Sequence, residues 1–536
     1  MTTELKSHFV FGTTAAYSHV PPIIELSLSL LRHTPDLCIS VLLHVNHLEN
    51  SQNIIENEGV SDDVKARIKL WPVGEKREWN DMLNSFMDMI YKSGEVYAGV
   101  LIGSAPWPHP AIFIYDAVSF FYVTVKAKVE ENFPHLKPTR LVAYNPLPVG
   151  EMLFLGGTEE NGSLRWLDKT LDDFDPDARV KPENNLLSGA NNDQSVDVEA
   201  QAAWMSKFVK AYKACLFESD RLIKIPGYTP FHAFERWGTE IDYTSVKEIG
   251  WFQYLAGFQA CLPVPEMWIS CYPSSVLESE TFDAIQNDPN FTSGSGGKKE
   301  FLELGWFERK PKASWGEGVK EFLNKHGEKS VVYISFGTIV NAGPTLPALF
   351  DLLEETKTPY IYACGKQKNS LPQHIKDTLD LSEKEGICVA PDWVDQVGVL
   401  SHPSIQAFVS HCGANSTVES IEAGVPIISM GRRDDQSILA SRVHAAGLGI
   451  ELLQHRTGFS VGKEVAHRKG IVIEGTYDTF KAELASALER IRGEEGIQMR
   501  KTIKIMGDQI RQKRKAEWEE NIKRFGLYGR ESTALN

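Results

Sequence analysis

Residues 393–436 read WVDQVGVLSHPSIQAFVSHCGANSTVESIEAGVPIISMGRRDDQ, and the stretch Ile405–Gly424 inside them decides the fold. A short apolar run from Ile405 to Val409 has the length and β-branched content of a buried strand. It stops before His411, Gly413 supplies a turn, and apolar residues then recur at helical spacing from Ser416 to Ala423. Asn415 or Ser416 is expected to cap this helix, with Glu419 in its first turn. A strand, a glycine turn and a helix start aim unpaired backbone N–H groups outward at the carboxyl edge of a sheet, where an anionic phosphate binds well. His411, Asn415 and Ser416 add side-chain donors at the same spot. An ordinary capped turn has the same local pattern, so these residues alone leave both readings open.

Working outward, the alternation continues on both sides. Strands are expected at Ser330–Phe336, Tyr360–Cys364, Ile387–Ala390 and Pro426–Met430, with a helix at Leu346–Glu355. Strand Val331–Phe336 ends in Gly337-Thr338, a second turn with donors facing the same edge, and two such turns suit a diphosphate. In the first half, a strand at Phe9–Phe11 leads through a Gly-Thr-Thr turn into a helix with Ile23, Leu26, Leu30 and Leu31 on one face. Further strands are expected at Leu37–Leu43, Ile68–Val73, Ala98–Ile102, Ile112–Tyr115, Leu141–Tyr144 and Met267–Cys271, and helices at Val118–Glu131 and Ala200–Phe217. Strands alternating with helices imply parallel sheets covered on both faces.

The chain has 536 residues, 42% of them apolar, which is too long for one core. The Asn, Gly, Ser and Lys content between Asp288 and Lys312 marks a connection. The reading is therefore an N-terminal domain at 1–290, a linker at 291–314, a C-terminal domain at 315–508, and a charged helical segment at 509–536. The fold class is α/β, two doubly wound Rossmann-like domains facing each other across a cleft.

A net charge of −15 argues against nucleic acid as a partner. Seven cysteines, odd in number and without C-x-x-C spacing, fit a reducing compartment, and no run of apolar residues is long enough to span a bilayer. The polar N-terminus lacks a secretory h-region, so a cytoplasmic location is expected. Asp173-Phe174-Asp175 and Asp175-Pro176-Asp177 match a D-x-D metal pattern but fall in an acidic stretch expected to be a loop. His44 and His47 lack the spacing of a zinc site. Gly294–Lys299 has the wrong spacing for a phosphate loop. No metal and no cofactor are expected.

The block from Trp393 to Gln436 resembles the 44-residue signature of the family 1 UDP-dependent glycosyltransferases, with Gln396, His402-Pro403, His411-Cys412-Gly413, Asn415-Ser416, Glu419, Gly424-Val425-Pro426 and Asp435-Gln436 in register. Ser330–Thr338 resembles the strand that opens the family's donor domain, and Ser18-His19-Val20-Pro21-Pro22 its N-terminal catalytic turn. The resemblance implies a GT-B fold and transfer of a hexose from a UDP-sugar. Trp393 would stack on uracil and the backbone of Val394 would read its edge. Gln396 and Glu419 would hold the ribose. Gly337, Thr338, His411, Gly413, Asn415 and Ser416 would hold the diphosphate, and Asp435 with Gln436 the sugar. Many members carry Trp where this chain has Ala414, which opens space beside the sugar; the final Gln436 leans toward glucose.

An imidazole at the carboxyl edge of the first sheet suits a general base, which makes His19 the candidate. Asp116, after strand Ile112–Tyr115, resembles the family's Asp that orients it, and it also suits a helix cap. Trp107, Phe120-Phe121-Tyr122 and the stretch Tyr228–Trp251 offer aromatic surface for a small hydrophobic acceptor, phenolic, sterol or lipid-like. A UDP-sugar epimerase and a non-catalytic UDP-sugar-binding protein share the architecture and stand as alternatives.

Overall fold

In the computed structural model, residues 4–78, 81–103, 106–175, 206–207, 209–240, 257–294, 297–312, 314–337, 343–365 and 371–530 are described. Contacts divide the chain into two units. The first comprises Met1–Lys213, Asp242–Phe307 and Lys513–Asn536; the second comprises Ala214–Ile241 and Glu308–Gln512.

The first unit holds a seven-stranded parallel sheet of Ser7–Gly12 (β1), Leu37–His44 (β2), Ile68–Val73 (β3), Ile112–Asp116 (β4), Arg140–Asn145 (β5), Met267–Ser270 (β6) and Glu300–Glu303 (β7), in the order β7-β6-β5-β4-β1-β2-β3. β1 pairs with β2 on one side, Phe9 opposite Ile39, and with β4 on the other, Gly12 opposite Tyr115. Every residue of β1, β2 and β4 is buried, as a parallel sheet covered on both faces requires. Helix Val20–His33 starts with prolines in its first turn and ends in Arg32 and His33, which suit the two ends of its dipole. Ile23, Ile24, Leu30 and Leu31 join Phe9, Phe11, Ile39 and Ile114 in one core. Each such side chain contributes about 1.5–3 kcal/mol on burial.

Three expectations are corrected here. Ala98–Ile102 is not a strand but the end of helix Met82–Gly103, a 22-residue element whose helical continuity outweighs a short β-branched run. The span 291–314 is not all connection: Phe301, Leu302 and Leu304 are buried, and β7 adds an edge strand to the sheet beside β6. The first turn of the Val118–Glu131 helix is a separate 3₁₀ turn, Ala117–Ser119, before helix Phe121–Glu131. Of the expected helix Ala200–Phe217, residues 206–207 and 209–212 are α-helical and Lys213–Phe217 continue as a π-helix, while 200–205 and 208 lie outside the described residues.

The C-terminal segment belongs to the first unit. Trp518, Ile522 and Phe525 are buried there, and Trp518 Nε1 donates to Glu303 Oε2 at 2.6 Å. Glu303 also accepts the Ser275 N–H at 2.8 Å, and burial raises its carboxyl pKa.

The second unit holds a six-stranded parallel sheet of Val331–Ser335 (β8), Tyr360–Ala363 (β9), Cys388–Val389 (β10), Ile405–Ser410 (β11), Ile427–Ser429 (β12) and Gly449–Glu451 (β13), in the order β10-β9-β8-β11-β12-β13. Its two faces carry separate cores, one built on Val332, Ile334, Ala407 and Val409 and the other on Val331, Tyr333 and Phe408. Residues 214–241, inside the 1–290 span expected for the first domain, group with this unit because their polar groups are satisfied by it. Glu235 Oε1 accepts the Ala466 N–H at 2.8 Å, and Arg456 Nη1 donates to the Glu235 carbonyl at 3.0 Å. His467 lies between Glu235 and Glu451, at 3.7 and 2.6 Å. No helix among the described residues is long and apolar enough to cross a membrane.

Candidate active site

In the first sheet the chain winds from β1 outward through β2 and β3, then returns beside β1 with β4 and winds the other way. The loops after β1 and β4 therefore part at the carboxyl edge and leave a crevice, the usual ligand position in such sheets. His19 closes the 3₁₀ turn Tyr17–His19 after β1 and begins helix Val20–His33. Asp116 is the last residue of β4 and fully buried. His19 Nδ1 donates to Asp116 Oδ2 at 2.9 Å, while Asp116 Oδ1 accepts the Val118 N–H at 2.9 Å. Asp116 is thus both cap and partner. With Nδ1 engaged, the acceptor on the ring is Nε2, the atom that takes a proton.

The loop before His19 has a support that the spacing of the sequence did not reveal. Buried His47 donates from Nε2 to the Ala15 carbonyl at 2.8 Å, and its ring lies 5.9 Å from that of Tyr17. His44 and His47 are core histidines, His44 standing 3.6 Å from Asp88.

The aromatic residues expected to face an acceptor divide differently. Phe120, Phe121 and Tyr122 are buried, with Tyr122 against Phe113 of β4, so they are core. Trp107 meets His8 edge-on, and His8 Nδ1 donates to the Pro108 carbonyl at 3.1 Å; this is the amino end of β1, away from His19. Tyr228 belongs to the second unit, beneath Arg442, and 241–251 lie outside the described residues. Asp173 sits in helix Trp166–Phe174 rather than a loop; 176–177 lie outside the described residues.

In the second sheet the winding likewise reverses between the neighbouring strands β8 and β11, and the turn after each comes close to the other at Gly337 and His411. Gly337, at φ +70°, and Gly413 flank His411. A Cβ on Gly337 would stand 2.8 Å from the imidazole, and one on Gly413 2.6 Å from its Nε2. Only glycine on both sides leaves room for the ring. Desolvation at this spot lowers the His411 pKa to about 4, so the ring is neutral at pH 7 and can donate a hydrogen bond without carrying a charge. Cys412 between them holds φ 63°, a strained value for a side-chain-bearing residue. Thr338 lies outside the described residues.

Helix Ala414–Ala423 begins two residues earlier than expected, with Gly413 at its N-cap position and no side-chain cap. Asn415 and Ser416 are therefore inside its first turn and Glu419 in its second. Ser416 and Glu419, three apart, share one face. Gln396 meets both: its Nε2 donates to Ser416 Oγ at 3.2 Å and to Glu419 Oε2 at 2.6 Å, and its Oε1 accepts from Tyr333 at 3.0 Å. Arg309 completes the set by pairing with Glu419 Oε1. Trp393 is 48% exposed, unusual for an indole, and Val394 beside it is buried. Asp435 and Gln436 open helix Asp435–Ala445 after the strained Asp434, at φ 53°. The buried Oε1 of Gln436 has no protein partner among the described residues, as a group awaiting a ligand hydroxyl would. The first unit thus joins His19 to Asp116, and the second joins Gln396 to Ser416 and Glu419 and sets Gly337 and Gly413 against His411.

Residues 301–469 match the model of the family described as "UDP-glucoronosyl and UDP-glucosyl transferase". UDP-glycosyltransferase 91B1 of Arabidopsis thaliana is 30% identical over 34% of this chain and 39% of its own length. A flavonoid 3-O-glucosyltransferase of Medicago truncatula is 40% identical over 26% of this chain and 31% of its own. The chain thus spans well under half the length of these curated relatives. Across 99% of this chain and all of the other, the fold matches a UDP-glucosyltransferase from Polygonum tinctorium, described as capable of glucosylating indoxyl, with TM-score 0.66 and 17% identity. It matches a UDP-glucose:anthocyanidin 3-O-glucosyltransferase in complex with UDP at TM-score 0.65 and 16% identity. The fold is the GT-B fold of two Rossmann-like units.

Proposed function

We propose that this chain, a member of the UDP-glucoronosyl and UDP-glucosyl transferase family through residues 301–469, is an inverting transferase that moves a hexose from a UDP-sugar to a hydroxyl of a small apolar acceptor. The observation that carries the reading is the His19–Asp116 hydrogen bond at the switch point of the first sheet. A silent binding protein has no use for a base held in one tautomer.

In this reading His19 Nε2 takes the proton of the acceptor hydroxyl as its oxygen bonds to the anomeric carbon. The bond from that carbon to the phosphate oxygen breaks on the opposite face, UDP leaves, and the anomeric centre inverts. Asp116 stabilises the imidazolium that forms. Trp393 stacks on uracil, the Val394 backbone reads its edge, and Gln396 and Glu419 accept the ribose hydroxyls. Gly337, Thr338, His411, Gly413, Asn415 and Ser416 take the diphosphate, and Asp435 and Gln436 the sugar. Preorganised N–H donors and neutral His411 meet the leaving-group charge, so we propose a metal-independent reaction with no cofactor beyond the UDP-sugar. Gln436 favours glucose. The flavonoid and anthocyanidin acceptors for which the relatives are named support a phenolic one. Seven cysteines, all free, support a cytoplasmic location.

The test incubates the chain with UDP-glucose and a panel of phenolic, sterol and lipid alcohols, identifying products by mass. UDP release that requires an acceptor is expected. Conversion of UDP-glucose without acceptor would instead indicate an epimerase, and binding without turnover would indicate a silent protein.

A further inference from the structure

The segment after β7 was expected to be solvated connection, yet its side chains reach the nucleotide half of the donor site. Arg309 pairs with Glu419, and Lys312 reaches the Trp393 loop twice: its N–H donates to Asp395 Oδ2 at 2.6 Å and its Nζ lies 5.0 Å from the Trp393 ring centroid. Asp395 N donates to the Trp315 carbonyl at 3.1 Å, and a Cβ on Gly316 would stand 2.6 Å from the Trp393 carbonyl. Arg309, Lys312, Trp315 and Gly316 therefore back Trp393, Asp395 and Glu419.

We propose that Arg309 is a positioning residue for the ribose diol, an inference that rests on the donor reading above. A carboxylate has about four acceptor directions on its two oxygens. In this structure Tyr333 fixes the Gln396 amide, Gln396 holds Glu419 Oε2, and Arg309 holds Oε1. The carboxylate plane is set from both sides, and the remaining lone pairs are left in fixed directions for two vicinal hydroxyls. Arg309 does a second thing. Glu419, only 10% exposed on its side chain, would stand as an uncompensated negative charge beside a bound diphosphate; a guanidinium on its outer oxygen offsets that charge. Lysine would keep the charge but lose the planar fork.

The experiment measures by calorimetry the affinity of the full chain for UDP and for 2′,3′-dideoxy-UDP, in wild type and in Arg309→Ala, Arg309→Lys and Lys312→Ala. Thermal unfolding checks that each variant is folded; Arg309→Lys gives the answer if the alanine variant fails to fold. Wild type is expected to prefer UDP by about tenfold or more, the range for hydrogen bonds to a charged group. Arg309→Ala should bring that preference close to one, Arg309→Lys should leave an intermediate value, and Lys312→Ala should weaken both ligands alike. A preference unchanged in folded Arg309→Ala or, if that variant does not fold, in Arg309→Lys, or lost equally in Lys312→Ala, overturns the assignment. Wild type that binds UDP without preferring it also overturns the assignment and leaves the donor reading standing. Wild type that binds no UDP overturns both.

Discussion

The imidazole of His411 lies so close to Gly413 that a single methyl there would stand 2.6 Å from Nε2. The backbone of Gly413, at φ −66° and ψ 151°, would accept alanine, so the obstacle is the ring alone. Gly413→Ala is expected to cost about 1–3 kcal/mol of stability, as overpacking does, and to weaken UDP binding as His411 is displaced. Denaturant unfolding and UDP titration check it; unchanged UDP affinity would separate His411 from the phosphate site.

Asp116→Asn keeps an oxygen able to cap Val118 but presents the wrong group to His19 Nδ1. The ring would then turn its other tautomer toward the acceptor. Turnover is expected to fall about 10²- to 10⁴-fold, as for other orienting aspartates, with UDP affinity unaltered. Steady-state kinetics beside calorimetry reads the split, and full turnover would remove Asp116 from the reaction.

Trp518→Ala removes a fully buried indole and the N–H that Glu303 accepts. A loss of about 3–5 kcal/mol is expected from the cavity, and the carboxylate left with fewer donors adds to it. The second unit should be spared, since Trp518 and Glu303 both belong to the first. Hydrogen exchange read by peptide would show protection lost in β6 and β7 but retained in β8 and β11; a uniform loss would contradict the assignment.

Two buried histidines of the second unit should give opposite pH responses. Burial first, then the charges of Arg456 and Arg432, lower His455 to about 3, and its Nε2 donates to the Gly431 carbonyl. The unfolded chain therefore binds the extra proton between about 6.5 and 3, so its contribution is complete above pH 6.5 and lost as pH falls through that window. Burial alone would also lower His467, but the nearby carboxylates of Glu235 and Glu451 outweigh it and raise the group to about 9. Its contribution is complete below about pH 6.5 and lost as pH rises through 9. His455→Asn should flatten the acid limb of stability against pH, and His467→Asn the alkaline limb, both read from urea midpoints. An unaltered limb in either variant would refute that sign.

Legibility followed the range of the interactions. β1, β2, β4, β8 and β11 could be read from apolar runs because strands buried on both faces of a sheet are almost wholly apolar. The turn at His411–Gly413 could be read because a strand, a glycine and a helix start are adjacent in sequence. Ala98–Ile102 misled because five apolar or small residues carry no mark of the helix they end. The 291–314 span misled because its Gly and Lys content hid the three apolar residues that seat β7.

By itself, then, the order of residues determined the two alternating α/β halves and the turn at His411–Gly413, because hydrophobic period and local turn chemistry act over a few residues; the pairing of His19 with Asp116 was implied only by the family resemblance. Only the tertiary structure decided that Asp116 meets the δ nitrogen of His19, that 214–241 belongs with the second unit, and that Arg309 holds Glu419. Those contacts join residues about a hundred or more positions apart, and nothing short of the folded sheets brings such groups within hydrogen-bonding distance.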